Sequence, residues 1–178
     1  MAKDNVKEAI DVNKLELSDK VVSIKRISKT VKGGRTMRFS ALVVVGDGNG
    51  YIGVGHGKSA EIPEAIRKGK EQAIRNIVKI SLDDNQSVPH DYIGIWGSSQ
   101  VLLRRSKEGT GVIAGGAVRN ICEMAGIKNI RTKSLGSRNK TNVVLATING
   151  LTCMKSPKQI ASLRDKDVKE ILAGIVKK

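Results

Sequence analysis

The clearest pattern in the sequence is an alternation of apolar and polar residues on both sides of a glycine pair. Between residues 37 and 45 one face of a predicted strand is polar, with Arg38 and Ser40, and the other is apolar, with Met37, Phe39, Ala41, Val43 and Val45. Residues 20–31 are also strand-like. Because glycines supply the positive φ of tight turns, Lys32-Gly33-Gly34-Arg35 is predicted to form the tip of a β-hairpin.

A third strand and a helix are predicted after the hairpin. Residues 51–57 form a strand thinned by glycines, and residues 61–80 have helical periodicity, with an apolar stripe of Ile62, Ile66, Ala73, Ile77 and Ile80. Ser59 is the expected N-cap, and Pro63 falls in the first turn, where its missing N–H costs little. Such a helix can cover one face of three antiparallel strands, which makes a small α+β unit.

The remaining pattern predicts a second α/β unit. Its expected elements are strands at 88–96 and 99–105, a glycine-rich loop at 109–116, a helix at 117–125, a strand at 128–135, a helix capped by Asn142, and a short helix from Pro157. Polar residues without periodicity mark the boundary between the units. We therefore expect an N-terminal tail at 1–17, a first domain at 18–83, a linker at 84–91, a second domain at 92–156, and a C-terminal helix and tail at 157–178.

Composition adds a strong positive charge. The 178 residues include 32 Lys and Arg against 17 Asp and Glu, a net charge of +15. Such an excess attracts phosphate backbones or anionic membranes. No apolar run approaches the ~18 residues that span a bilayer, and no secretory segment follows Met1, so a cytoplasmic protein without a membrane partner is expected. An aromatic content of 2% disfavours base stacking on rings and favours contacts to the nucleic-acid backbone.

Residues that could carry catalysis or bind a metal are few and scattered. Cys122 and Cys153 lack a CxxC partner, and His56 and His90 have no metal-like spacing. Residues 48–53 match GxGxxG but span a turn and a strand, not a strand–helix junction. Residues 109–114 do precede a helix, yet no acidic partner follows at the required distance. A glycine loop that lets two backbones approach closely is the better interpretation. We expect no enzyme, metal, cofactor or small-molecule substrate.

The basic residues of the hairpin are the strongest candidates for a binding site. No acidic residue lies between positions 20 and 46, so a solvated face of mixed charge, which suits the helix at 61–80, does not account for them. The predicted phosphate contacts are Lys25, Arg26, Lys29, Lys32, Arg35 and Arg38, with Gly33 and Gly34 at the tip. His56 and Lys58 are further candidates. Nine Lys and Arg between positions 104 and 140 predict a second phosphate-facing surface, with Arg131, Lys133, Arg138 and Lys140.

Several longer motifs resemble the bacterial small-subunit ribosomal protein five family. They are SKTVKGGR at 28–35, VVGDGNG at 44–50, EGTGVIAGG at 108–116, KSLGS at 133–137 and NVVLAT at 142–147. The resemblance implies an α+β fold with an N-terminal double-stranded-RNA-binding-like β-β-β-α domain and a C-terminal four-stranded α/β domain. It also implies binding to small-subunit (16S) ribosomal RNA, contacts with ribosomal proteins four and eight, and a place beside the path by which messenger RNA enters.

The resemblance also implies roles for individual residues. The family's hairpin, here Ser28 to Arg35 and so including Thr30, inserts into ribosomal RNA near the head–body junction, and changes in it are associated with spectinomycin resistance. The family's glycine loop lies toward protein four and influences decoding fidelity; the corresponding interface residues are Gly109, Thr110, Gly111, Gly115, Gly116 and Arg119. The expected function is that of a ribosome-bound structural protein that supports assembly and translational accuracy. A free double-stranded-RNA-binding regulator and a nucleotide-dependent enzyme are the alternatives.

Overall fold

The computed structural model describes residues 16–83 and 85–173. Residues 18–79 form a four-stranded antiparallel sheet with one helix on one face. In chain order the elements are β1 (Ser18–Val31), β2 (Gly34–Gly46), β3 (Tyr51–Ser59), α1 (Ile62–Arg75) and β4 (Val78–Lys79), and the strands lie in the order β1-β2-β3-β4. The expected tail at 1–17 lies outside the described residues except for its last two positions.

The predicted hairpin is confirmed. Val31 pairs with Gly34, so Lys32 and Gly33 form a two-residue turn, and Gly34 has a φ of 139°. β3 pairs with β2 only as far as Phe39. The hairpin beyond that point is a ribbon of two strands, and its outer half extends past the rest of the sheet.

The predicted helix at 61–80 is confirmed in its first part and wrong in its last. α1 ends at Arg75, with Asn76 as C-cap, and Val78 then pairs with Ile52 in a short fourth strand. Glu61, not Ser59, is the N-cap, while Pro63 does lie at the predicted first turn. The apolar residues after position 75 therefore continue the sheet, because β3 offers them an unpaired edge.

α1 approaches β3 through small residues, while its Ile66 and Ile74 are partly buried against the cluster that β2 and α1 share. The buried positions of the helix are Ala65, Gly69 and Ala73, whereas Ile62 is exposed. A Cβ added at Gly55 of β3 would collide with the backbone carbonyl of Gly69, and Gly53 and Gly57 face Ala73 and Ala65 in the same way. The glycines of the third strand thus let helix and strand backbones approach closely, which only residues without a Cβ permit.

A second four-stranded sheet follows, as the fold class predicted. Its elements are β5 (Tyr92–Trp96), β6 (Ser99–Arg105), β7 (Val112–Ile113), α2 (Gly116–Met124), β8 (Ile130–Gly136), α3 (Lys140–Cys153), α4 (Pro157–Arg164) and α5 (Val168–Ala173), with strand order β5-β6-β8-β7. Two predictions need correction. The glycine-rich segment contains the short strand β7, and α3 is capped by Asn139, whose side chain accepts a hydrogen bond from Thr141 N, and not by Asn142.

The two sheets share one hydrophobic core. Residues 41–46 of β2 are buried on both faces. One face, with Ala41 and Val43, packs on α1, while Leu42 and Val44 join a cluster of buried residues from the second sheet and its helices, including Val101, Leu103, Val118, Ile121 and Val144. The polar face predicted from Arg38 and Ser40 therefore becomes apolar from Leu42 onward. This is the site where the two halves of the chain join.

Backbone hydrogen bonds close the same junction. Gly48 N donates to Met124 O at 3.0 Å and Gly50 N to Ala125 O at 3.1 Å. Gly126, with a φ of 80°, lies so close to Gly48 that a Cβ would collide with the Gly48 carbonyl. Lys20 of β1 also pairs with Glu123 of α2, with 2.7 Å between Nζ and Oε2. The hairpin base is thus tied to α2 through backbone, charge and apolar contacts.

Candidate nucleic-acid interface

The strand register places one group of the predicted RNA contacts on a single face of the first sheet. Lys25, Ser40 and Lys58 are directly paired across three strands, and His56 lies opposite Leu42. Because alternate residues of a strand share a face, Arg38 and Lys29 continue this face toward the tip. We call Lys25, Lys29, Arg38, His56 and Lys58 the basic face. It adjoins the part of β2 that is buried against the second sheet.

The other hairpin candidates lie on the opposite face or at the tip. Arg26, Ser28, Thr30 and Arg35 alternate with the basic face along β1 and β2, and all four are exposed. At the turn no heavy atom lies within 4 Å of where a Cβ of Gly33 or Gly34 would stand, so the tip is open. The structure therefore brings together the predicted hairpin residues as one protrusion with two exposed faces.

The cations of this protrusion lack acidic partners within the described residues. None of Lys25, Arg26, Lys29, Lys32, Arg35, Arg38 and Lys58 has a carboxylate within 4.0 Å there. Lys20 differs, since it pairs with Glu123, a residue 103 positions away in the sequence. On α1, Arg67 pairs with both Glu64 and Glu71, which supports the interpretation of that helix as a solvated face.

The surroundings of His56 on the basic face lower its pKa. Its Nε2 and Ser40 Oγ are joined by a hydrogen bond of 2.6 Å, and its backbone N–H donates to Gln72 Oε1 at 2.7 Å. Partial burial lowers the pKa of His56 from its ordinary value of 6.5, and the charges of Lys58 and Lys25 lower this pKa further. The imidazole is therefore neutral at pH 7, and one ring nitrogen can donate a hydrogen bond.

The second predicted basic surface is divided by ion pairs. Arg104 pairs with Asp91, Arg105 with Asp83 and Arg119 with Glu123, so three of the nine cations have a carboxylate partner, although Arg119 shares Glu123 with Lys20. Arg131 and Lys133 alternate along β8 on a sheet face that no described helix covers, whereas Arg138 and Lys140 lie at the N-terminal end of α3. Arg131 and Lys133 therefore belong to a different sheet from the basic face, and Arg138 and Lys140 belong to neither sheet.

The predicted protein-interface loop is exposed and held from one side. Gly109 and Gly111 have φ values of 82° and 75°, and Gly111 N donates to Asn129 Oδ1 at 3.2 Å. The buried Asn129 also donates through Nδ2 to Asn85 O at 3.1 Å. Sequence reasoning missed Asn129, since nothing local marks it. No atom lies within 4 Å of a Cβ built on Gly109, Gly111, Gly115 or Gly116. The close approach of two backbones that the sequence suggested is therefore not found at these four glycines within the part of the chain that the structure describes.

Two family models match the chain. One, described as ribosomal protein S5, N-terminal domain, matches residues 17–81, and the other, ribosomal protein S5, C-terminal domain, matches residues 94–164. The chain belongs to the ribosomal protein S5 family. The predicted family and its α+β fold are confirmed. This family is structural and non-enzymatic; its members are constituents of the small ribosomal subunit that bind ribosomal RNA and neighbouring ribosomal proteins. Membership implies a ribosome-bound protein in the cytoplasm.

Within 16–83 and 85–173 no three His, Cys, Asp or Glu side chains cluster as a metal site, and no helix is long and apolar enough to cross a membrane. Cys122 is buried in the shared core, and this burial raises the pKa of its thiol to about 12. Cys122 is therefore a packing residue, since a nucleophilic cysteine requires the thiolate.

The substitution Lys58→Gln is expected to raise the pKa of His56 toward 6.5, because it removes one of the positive charges that oppose protonation. The imidazole titration followed by NMR measures this directly. Lys68→Gln on α1 removes an equal charge elsewhere and should leave the His56 titration unchanged. Because the pKa of His56 is lower in the folded state, the unfolded state takes up the proton first as the pH falls. Protonation of His56 is therefore expected to lower the free energy of unfolding as the pH falls below about 6.5 and through the folded-state pKa. An identical titration in Lys58→Gln would contradict this description of the face.

Proposed function

We propose that the hairpin makes the principal ribosomal RNA contact of this chain. The observation that supports this most directly is a set of exposed cations on both faces of the hairpin that have no acidic partner among residues 16–83 and 85–173. By contrast, three basic residues of α1, Arg67, Lys68 and Lys70, pair with Glu64, Glu71 or Asp19. Unpaired cations held close together repel one another, and RNA phosphates relieve that repulsion.

The mechanism is the neutralisation of phosphates by cations at fixed spacing. Arg38 lies diagonally between Lys25 and Lys29 in the β1–β2 register, a separation of roughly 7–8 Å in an antiparallel pair. Phosphates that bind there release condensed counterions, which makes binding strongly salt-dependent. Ser28 and Thr30 add hydroxyl donors on the opposite face. At the open tip, Gly33 and Gly34 let the backbone approach the RNA where a Cβ would clash.

The double variant Lys29→Gln/Arg38→Gln is expected to weaken binding to a small-subunit ribosomal RNA transcript and to reduce the salt slope by about two units, one per lost phosphate contact. Filter binding over a series of KCl concentrations gives both quantities. The matched control is Lys68→Gln/Lys70→Gln, which removes the same charge from α1 and should leave the slope nearly unchanged. Equal slopes for the two double variants would refute a specific role for the hairpin.

The neighbouring ribosomal proteins are assigned within the same proposal to the second domain. In this proposal the first domain, residues 18–83, binds RNA. A linker at 84–91 connects it to the second domain, residues 92–156. Within the second domain, Arg138 and Lys140 are candidates for a further RNA contact. The loop of Gly109, Thr110, Gly111, Gly115 and Gly116, with Arg119, faces ribosomal protein four. Contact with protein eight, proximity to incoming messenger RNA, and effects on assembly, decoding accuracy and spectinomycin sensitivity follow from the family resemblance.

Gly116→Leu should leave the free energy of unfolding of the isolated protein within about 0.5 kcal/mol of the wild-type value, because its Cβ has open space around it. The same variant should weaken binding to purified ribosomal protein four at least tenfold, since the bulky side chain would occupy the proposed contact. Gly116→Ala serves as the small control. Unfolding in urea and titration with protein four are the two measurements. Full affinity in Gly116→Leu would exclude this residue from the interface.

A further inference from the structure

The face of the second sheet that no described helix covers carries a patch of exposed aliphatic side chains. Ile95, Gln100 and Leu135 are paired in one row across β5, β6 and β8, and Ile93, Leu102 and Lys133 form the next row. Ile93, Ile95 and Leu135 are 46%, 51% and 39% exposed. The helical face of the same sheet has the opposite character, since Gly94, Val101 and Leu103 are buried. We call Ile93, Ile95, Leu102 and Leu135 the aliphatic patch.

Cations border this patch on one side only. Arg131 lies next to Lys133 on the same face of β8 and opposite Arg104, and Ile113 of β7 lies beyond it. Arg104 is paired with Asp91, at 3.0 Å from Nε to Oδ2. Arg131 and Lys133 have no carboxylate within 4.0 Å among the residues that the structure describes. The face is thus apolar at the β5 side and positively charged toward β7.

This combination fits a protein better than RNA. Protein–nucleic-acid interfaces are strongly polar, so phosphates would satisfy Arg131 and Lys133 but leave four aliphatic side chains facing water or ribose. Clustered exposed aliphatic residues bordered by charge are typical of protein–protein contacts. Because both free charges are positive, the complementary surface carries carboxylates. On the hairpin, by contrast, exposed cations predominate over exposed apolar side chains.

We propose that the aliphatic patch, with Arg131 and Lys133, is a docking face for a neighbouring protein of the ribosomal particle that presents apolar side chains flanked by carboxylates. This inference goes beyond the proposed RNA contact of the hairpin, and it assigns Arg131 and Lys133 to a protein instead of to RNA. The proposed partner lies across the sheet face, where the exposed side chains are, and at the β5 edge Asn149 Nδ2 donates to Ile95 O at 2.9 Å.

Photo-cross-linking in assembled small subunits tests this proposal. Benzoylphenylalanine replaces Ile95 in one strain and Leu135 in a second, so that one misfolded variant does not decide the result. After irradiation, particles are treated with ribonuclease or with protease, and adducts are mapped by mass spectrometry. The expected adduct from both positions survives ribonuclease and contains a peptide of another ribosomal protein with apolar and acidic residues. Lys133→Glu in the same chain should lower its yield at least fivefold.

The outcomes separate this proposal from the hairpin proposal. Adducts to ribosomal RNA from Ile95 and Leu135, adducts to a peptide without carboxylates, or no adduct in particles of normal sedimentation would each overturn the docking face. Benzoylphenylalanine at the exposed hairpin residue Met37 is the parallel arm, and it should give RNA adducts. Failure at Met37 with success at Ile95 would reject only the hairpin contact, and the reverse pattern would reject only the docking face.

Discussion

The burial of β2 on both of its faces is the constraint on which the rest of the structure depends. An ordinary strand at this position would pack on α1 and leave its other face to water. Here Leu42 and Val44 enter a cluster that includes Ile121 and Leu103 from the second half of the chain. A fully buried aliphatic side chain contributes on the order of 1.5–3 kcal/mol relative to exposure, so separating the two sheets would be costly. We therefore expect the two halves to open as one unit.

β1 and β2 change character along their length, from a buried base to an exposed tip. This change explains how a folded protein can display a protrusion rich in cations. Near the base, Lys20 is neutralised by Glu123 and the side chains of β2 are buried. Toward the tip, Lys29, Arg35 and Arg38 are exposed and lack acidic partners within the described residues. Repulsion among these charges costs stability. The apolar contacts at the base of the hairpin offset that cost. The outer half of the hairpin therefore does not have to contribute to the core and is available for the proposed RNA contact.

Much of this arrangement could be predicted from the sequence, and the misses have physical causes. Alternation and the glycine pair identified the hairpin, because both signals are local. The predicted helix stripe was right for Ala73 but missed Ala65 and Gly69, which also pack against glycines of β3, because small residues carry little hydrophobic signal. The neutralisation of Lys20 depends on a residue 103 positions away. The aliphatic patch could not be found either, since it exists only after β5, β6 and β8 are aligned.

Native-state hydrogen exchange tests most directly whether the shared core makes one cooperative unit. We expect slowly exchanging amides of Leu42 and Val44 in β2 and of Ile121 and Cys122 in α2 to open with the same free energy and the same dependence on denaturant, because none can be exposed without breaking the common cluster. If α2 and the second sheet opened at a distinctly lower free energy while β2 stayed protected, the two halves would be independent, and a fixed relation between the basic hairpin and the second sheet would be contradicted.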